Sequence, residues 1–284
     1  MIPLRSQLFR KVTIVGVGLM GGSLGLAIKK AKLAREVVGF SQRASSLETA
    51  EKMQAIDQGF QDIKKAVANA DLVVLCTPVS IISGMIKTLG PALKRNCIVT
   101  DVGSAKVPIV RDAQDLPGHV SFVGSHPLAG SEKSGVQYAS ADLFNDSLCV
   151  MTPEDRTSRA AVTRVKRLWT HIGCKVKFLP AEEHDRIMAY ISHLPHVLAY
   201  VLMGVIPEEF LEYAGPGLRD TTRIAGSSPQ MWADICGGNS ANIIHAMDEV
   251  VKDLAGLRKG MSSDSNKSLV EYFQSAKIKR DKVG

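Results

Sequence analysis

Aromatic residues are scarce in this chain, 5% of 284, and only two of them are tryptophan. That leaves too few flat faces to stack the bases of a single-stranded nucleic acid. The 35 Lys and Arg are spread along the chain with no basic stripe, so nucleic acid is not an expected partner. The formal net charge of +7 then reads either as an ordinary soluble surface or as a match for an anionic small molecule. Cysteine is sparse too. The five cysteines include no C-x-x-C pair, their number is odd and their spacing is wide. Neither a zinc site nor a disulfide framework is expected, and reduced thiols are the simplest account. No stretch reaches about 18 uninterrupted apolar residues, so no membrane-spanning helix is expected. The opening MIPLRSQLFRK lacks the apolar run of a secretory signal.

What is present suits a globular chain of two domains. Hydrophobic residues make up 45% and charged ones 22%, enough to fill a core, and 284 residues exceed the roughly 100–200 of a typical domain. Short apolar runs recur through the first 180 residues: KVTIVG at 11–16, EVVGF at 36–40, DLVVLCTP at 71–78, CIVTDVG at 97–103, FVGSHP at 122–127, LCVMTP at 148–153 and KVKFLP at 175–180. Stretches at helical spacing lie between most of them. Strands alternating with helices predict an α/β, doubly wound parallel sheet. After Pro180 the β-branched runs stop, and residues 181–206 are apolar at helical spacing. A boundary is placed there, with an α/β domain over 1–180 and an all-helical one over 181–284. The final KIKRDKVG is expected to be a solvated tail.

The first chemical signal is GVGLMG, with Gly16, Gly18, Leu19, Met20 and Gly21 falling between the first strand and the first helix. A strand alone has no use for these glycines. In G-x-G-x-x-G the first permits a tight turn, the second lets a pyrophosphate approach the backbone and the third lets helix and strand pack closely. The free N–H groups of the helix start then meet the phosphates. A nicotinamide dinucleotide is the expected cofactor. An NAD site usually places an acid at the end of the second strand. Here EVVGF is followed by Ser41, Gln42 and Arg43. Ser41 and Arg43 suit the 2′-phosphate of NADP, unless Arg43 is an ordinary exposed side chain and NAD binds. NADP is favoured over NAD. Thr77 and Pro78 end the third strand and are expected to line the cofactor.

Two later strand ends add polar chemistry. DVGSAK places Ser104 and Lys106 after one strand, and GSHPLAGSEKSG places His126 after the next, followed by a loop with Ser131 and Glu132. Ligands of such sheets bind at the carboxyl ends of the strands, and histidine is the side chain suited to acid–base work near neutral pH. In the helical half, SHLPH holds His193 and His196, three apart and hence on one helical face. They lack an evident third ligand, so no metal is expected. Arg219 and Arg223, in LRDTTRIAG, are able to clamp a carboxylate or to form surface ion pairs.

In this order GVGLMGGS, TP, DVGSAK, SHPLAGSEKSG, SHLPH and LRDTTRIAGSSPQMW resemble the prephenate/arogenate dehydrogenases of tyrosine biosynthesis, and the resemblance runs over almost the whole chain. It implies a cytoplasmic homodimer with an N-terminal Rossmann-type doubly wound sheet and an all-helical dimerisation domain. It implies oxidation of a cyclohexadienol, prephenate or arogenate, by NAD or NADP with release of carbon dioxide. By that resemblance His126 is the catalytic histidine and Ser104 bonds the same substrate hydroxyl. His193 and His196 lie near the active site, with His196 facing the substrate side chain. Arg223 binds a substrate carboxylate, and Glu132, with Ser131 beside it, sits at the pocket mouth. Two other readings share the glycine turn: a dehydrogenase of the β-hydroxyacid type, which relies on a lysine in its helical half, and a dinucleotide-sensing protein without catalysis.

Overall fold

The structure is a computed structural model that describes residues 7–131, 133–262 and 266–283. It divides after Asn239 into two compact units. In the first, eight strands form one sheet: β1 (Phe9–Val15), β2 (Ala34–Phe40), β3 (Gln58–Phe60), β4 (Leu72–Leu75), β5 (Ile98–Asp101), β6 (Ser121–Pro127), β7 (Leu148–Thr152) and β8 (Lys175–Phe178). Their order across the sheet is β3-β2-β1-β4-β5-β6-β7-β8. The first six are mutually parallel.

Alternation of side chains sorts each central strand between two cores. Val12 and Ile14 of β1 and Leu72 and Val74 of β4 face one cluster, which Leu24, Ile28, Val165 and Trp169 fill. Val15, Val73 and Leu75 face the other, against Ile82, Ile86 and Ile109. Those partners come from helices α1 (Leu19–Lys30) and α6 (Arg159–His171) on the first face and α4 (Val79–Leu89) and α5 (Val107–Asp112) on the second. The short α2 (Ala44–Lys52) and α3 (Ile63–Val67) flank β3. Coverage of both faces is why these strands read as near-continuous apolar runs. Each large side chain so buried contributes about 1.5–3 kcal/mol.

The parallel sheet expected from the sequence has one exception. β7 runs antiparallel to β6, pairing His126 with Val150, and β8 runs parallel to β7. The connection from β6 to β7 contains turns and one short 3-10 segment, Val136–Tyr138. A parallel return requires a crossover, usually a helix. Without one, the chain comes back beside β6 in the reverse sense.

From Pro180 the chain is helical. α7 (Ala181–Met188) runs through a π segment, Ala189–His193, into α8 (Leu194–Val205); α9 (Pro216–Thr222) and α10 (Pro229–Gly238) follow. The stretch Ala181–Val205 is long and apolar enough to cross a membrane by length and composition alone. Yet its first half buries His184, Asp185 and His193, and α7 packs on α5 and β7. α10 ends at Gly238, and Asn239 separates it in the sequence from the next helix. The second unit consists of α11 (Ser240–Met261) and α12 (Lys267–Arg280). They pack on each other, and the Tyr272 hydroxyl donates to Asp253 at 3.1 Å. α12 carries the basic end of the chain to Arg280, so half of the expected tail is helix, though exposed.

Candidate active site

The chain leaves β1 at one side of the sheet, works outward through β2 and β3, and returns to β4 on the other side of β1. This reversal opens a crevice at the carboxyl ends of β1 and β4, the usual ligand position in such sheets. The glycine turn lies there. Gly16 has φ +97°, and a Cβ on it would stand 2.8 Å from the Cys76 carbonyl oxygen and 3.0 Å from the Thr77 methyl. A Cβ on Gly21 would meet the Gly16 carbonyl oxygen at 2.0 Å. Both positions therefore exclude side chains because of the protein's own backbone. Gly18 differs. It is exposed, caps α1, and a Cβ there would have nothing within 4 Å. No capping side chain occupies the start of α1. Bare N–H groups beside an open glycine suit a pyrophosphate. Leu19 and Met20 begin α1 at this point and are half-buried.

Ser41 and Arg43 follow β2 on the same edge, where the Gly16 N–H donates to the Phe40 carbonyl at 2.9 Å. Arg43 is exposed, and its N–H donates to Ser41 Oγ at 3.1 Å. Thr77 lies against Gly16, and Pro78 caps α4.

Beyond β4 the edge becomes polar and dry. Asp101, the last residue of β5, is fully buried. Its carboxylate accepts the N–H of Gly103 at 2.8 Å and of Ser125 at 3.1 Å, and pairs with the Lys106 ammonium, which also donates to the Ser125 carbonyl at 2.9 Å. This cluster ties the loop after β5 to β6 at the position of Ser125 and His126. Ser104 lies in the loop so tied, half-buried.

His126 is buried near the end of β6. Its Nδ1 is 2.8 Å from His184 Nε2, and His184 Nδ1 is 2.8 Å from Asp185 Oδ1. The Asp185 carboxylate also accepts the N–H groups of Lys106 at 2.7 Å and Val107 at 2.9 Å, at the start of α5. Burial pushes the His126 pKa well below the usual histidine value, and the charges of His184, Lys106 and His193 push it further. Burial also lowers His184, against the hydrogen bond it donates to Asp185, which raises it. His193 is pushed down to about 4, again chiefly by burial, with the Asp185 charge opposing. Its Nδ1 lies 3.1 Å from the Asn239 side-chain nitrogen, which also donates to the Asp185 carbonyl at 2.7 Å. Every histidine of this cluster is therefore neutral at pH 7.

His196 is half-buried and stacks on Trp232, with ring centroids 3.7 Å apart and planes 21° from parallel. Trp232 also meets His193 edge-on at 6.2 Å, so both histidines of SHLPH share the indole. The Ser192 carbonyl, 2.9 Å from His196 Nδ1, accepts its proton and leaves Nε2 bare. Burial lowers the His196 pKa, Ser192 opposes, and the Arg223 charge lowers it further. Arg223 thus lies within electrostatic reach of His196; it is exposed and starts a 3-10 turn that packs on α8. Ser131 is exposed, with Oγ accepting the Lys133 N–H at 3.2 Å. Glu132 falls outside the described residues.

The structure thus gathers His126, His193, His196 and Arg223 by distance, ring contact or mutual charge, and keeps Ser41 and Arg43 with the glycine turn. Sequence reasoning missed His184 and Asp185. The one available signal was a histidine next to an aspartate at the start of a helix, in AEEHDRIM.

A parallel sheet with this reversal, an open glycine at a bare helix start and a dry histidine on the same edge define an oxidoreductase that uses a nicotinamide dinucleotide. Known proteins narrow the class. Residues 24–178 match the nucleotide-binding domain of prephenate dehydrogenase and residues 180–275 its dimerization domain. The cyclohexadienyl dehydrogenase of Zymomonas mobilis is 34% identical over 280 residues, covering 96% of this chain and 95% of that one. The prephenate dehydrogenase of A. aeolicus, solved with hydroxyphenyl propionate and NAD+, superimposes with a TM-score of 0.90 at 34% identity, over 99% of this chain and all of that one (100%). The arogenate dehydrogenase of Synechocystis gives a TM-score of 0.81 at 28% identity over 96% of this chain and 100% of its own. The chain belongs to the prephenate dehydrogenase family.

Proposed function

We propose that this protein oxidatively decarboxylates prephenate, arogenate or both in tyrosine biosynthesis, in the cytoplasm and as a homodimer. The observation that carries the reading is His126, neutral and buried at the strand edge shared with the glycine turn. Neutral His126 accepts the ring hydroxyl proton through Nε2, with Ser104 orienting that hydroxyl. The nicotinamide, when bound, takes the hydride from the same ring carbon. Loss of the ring carboxylate as carbon dioxide makes the ring aromatic, and His126 returns its proton to the phenolic oxygen. Aromatisation drives the reaction, so the protein supplies alignment and a base, the latter worth about 100- to 10,000-fold. Arg223 clamps a carboxylate beside His196, and Ser131 belongs to the pocket mouth.

The glycine turn, with Gly16, Gly18, Leu19, Met20 and Gly21, holds the dinucleotide, and Thr77 and Pro78 line it. Ser41 and Arg43 in place of an acid favour NADP over NAD. Residues 1–180 form the cofactor domain in this reading and 181–284 the helical one. Exposed Val201 and Val205 of α8, at 52% and 70%, are apolar surface that a second copy would cover.

The test is a steady-state assay of nicotinamide reduction and carbon dioxide release, crossing prephenate and arogenate with NAD and NADP. The reading expects turnover in at least one combination, with higher kcat/KM for NADP. Arg43→Ala is expected to lower kcat/KM with NADP at least tenfold more than with NAD. Binding of cofactor without turnover in all four combinations would refute it.

A further inference from the structure

Asp185 is an acceptor on every side the structure shows. Two backbone N–H groups, of Lys106 and Val107, donate to it. The third neighbour, His184 Nδ1 at 2.8 Å, must therefore carry a proton and donate it. A neutral imidazole holds one proton, so His184 Nε2 is a bare acceptor. It faces His126 Nδ1 at 2.8 Å, and that contact is a hydrogen bond only if His126 carries its proton on Nδ1. The lone pair of His126 is then on Nε2, which no described side chain or backbone group engages.

We propose that Asp185 and His184 are positioning residues that fix the tautomer of His126, so that Nε2 presents a lone pair to the substrate hydroxyl. The proposal rests on His126 being the base. Direction runs from the start of α5 outward: Lys106 and Val107 fix Asp185, Asp185 fixes His184, and His184 fixes His126. When Nε2 takes the substrate proton, the Nδ1–H bond to His184 is kept and no proton has to leave the ring. The imidazolium charge then faces the Asp185 carboxylate through one intervening ring. His193 and the Lys106 ammonium also bear on His126. Neither breaks the chain, because the Lys106 ammonium is occupied by Asp101 and the Ser125 carbonyl and His193 Nδ1 by Asn239.

The chain makes a polarity prediction that a space-filling role does not. Asp185 Oδ1 serves both the Lys106 N–H and His184, and Oδ2 serves Val107. Asp185→Ala removes both oxygens and with them the acceptor that keeps the proton on His184 Nδ1. His184 Nε2 is then able to carry the proton, which puts the His126 proton on Nε2, where the ring is useless as a base. A wrong tautomer at a buried Asp–His pair lowers kcat about 10,000-fold in serine proteases. His184→Gln preserves the direction of the chain, because its amide is able to donate to Asp185 and accept from His126. His184→Leu, of similar size, is not.

The experiment is 15N-histidine NMR of the enzyme with NADP bound, near pH 7.5, with His126→Asn used to assign the His126 signals. It is paired with kcat and KM for each variant. The expected result is a protonated Nδ1 and a bare Nε2 on wild-type His126, with that preference lost in Asp185→Ala. The expected kcat loss in Asp185→Ala is about 1,000- to 10,000-fold with KM changed less than about threefold, a split that marks an interaction made in the transition state. His184→Gln is expected at least tenfold more active than His184→Leu. A wild-type His126 protonated on Nε2 would overturn the proposal without any variant, which covers the case that Asp185→Ala does not fold. So would equal activities of His184→Gln and His184→Leu. Wild-type turnover in His126→Asn would instead refute the base itself and leave the tautomers readable.

Discussion

Lys106 and Asp101 form an ion pair that solvent does not reach: both side chains have 0% exposure. Asp101 ends β5, and Lys106 immediately precedes α5. Their contact closes the loop that carries Ser104 and, through Ser125, fixes the end of β6 that carries His126. The pair is thus a structural clamp directly behind the proposed base.

Removing one partner strands the other charge in a dry site. Lys106→Met is therefore expected to destabilise the protein by about 3–5 kcal/mol. The double variant Asp101→Asn/Lys106→Met leaves no bare charge, and its loss should be smaller than that of Lys106→Met alone. Urea titrations of the three proteins check this, and a double-variant loss as large as that of Lys106→Met would contradict it.

Gly18 and Gly21 separate cofactor binding from folding. Alanine at Gly21 would put its Cβ 2.0 Å from the Gly16 carbonyl oxygen, so Gly21→Ala must shift the helix start and lower stability. Such overpacking costs about 1–3 kcal/mol. At Gly18 the same methyl group enters open space. Gly18→Ala is expected to keep the wild-type melting temperature while raising the cofactor KM. Thermal unfolding of the apoprotein and cofactor titration distinguish the two.

These residues also show what the sequence made legible. The glycine spacing, the apolar strands and the proline after His126 are local, and local patterns located β1, β4, β5, β6 and the glycine turn. The Asp185–His184–His126 chain was not legible. In AEEHDRIM a histidine and an aspartate stand among other charged residues, and nothing in their spacing points them at His126. Only the packing of α7 on α5 and β7 turns that face inward. The reversal of β7 was hidden for a related reason. Its apolar run is the same whichever way the strand points, and direction is set by the connection. β3 has three residues, too few for a periodic signal, and the π segment before α8 has no sequence signature.

The buried histidines set the response to acid. Folding lowers the pKa values of His126, His184 and His193, the last to about 4. Between those values and the unfolded value near 6.5, the unfolded chain binds more protons than the native one. Stability is therefore full above about pH 6.5 and falls as the pH drops towards 4, by up to about 1.4 kcal/mol per pH unit for His193, with His126 and His184 adding in the same direction. Denaturant midpoints from pH 8 to pH 4.5 should decline on that side. Because a base must be neutral to accept a proton, the acid limb of kcat/KM assigned to His126 should also lie well below 6.5. A limb at the ordinary histidine value would contradict the dry environment described for His126.

The central claim is that His126 takes the substrate's hydroxyl proton while Arg223 only holds the substrate. Steady-state kinetics of His126→Asn beside Arg223→Ala, with the preferred substrate and cofactor, tests it most directly. The account predicts a kcat about 100- to 10,000-fold lower in His126→Asn with little change in KM. For Arg223→Ala it predicts a raised KM with kcat nearly kept. Wild-type turnover in His126→Asn would contradict it.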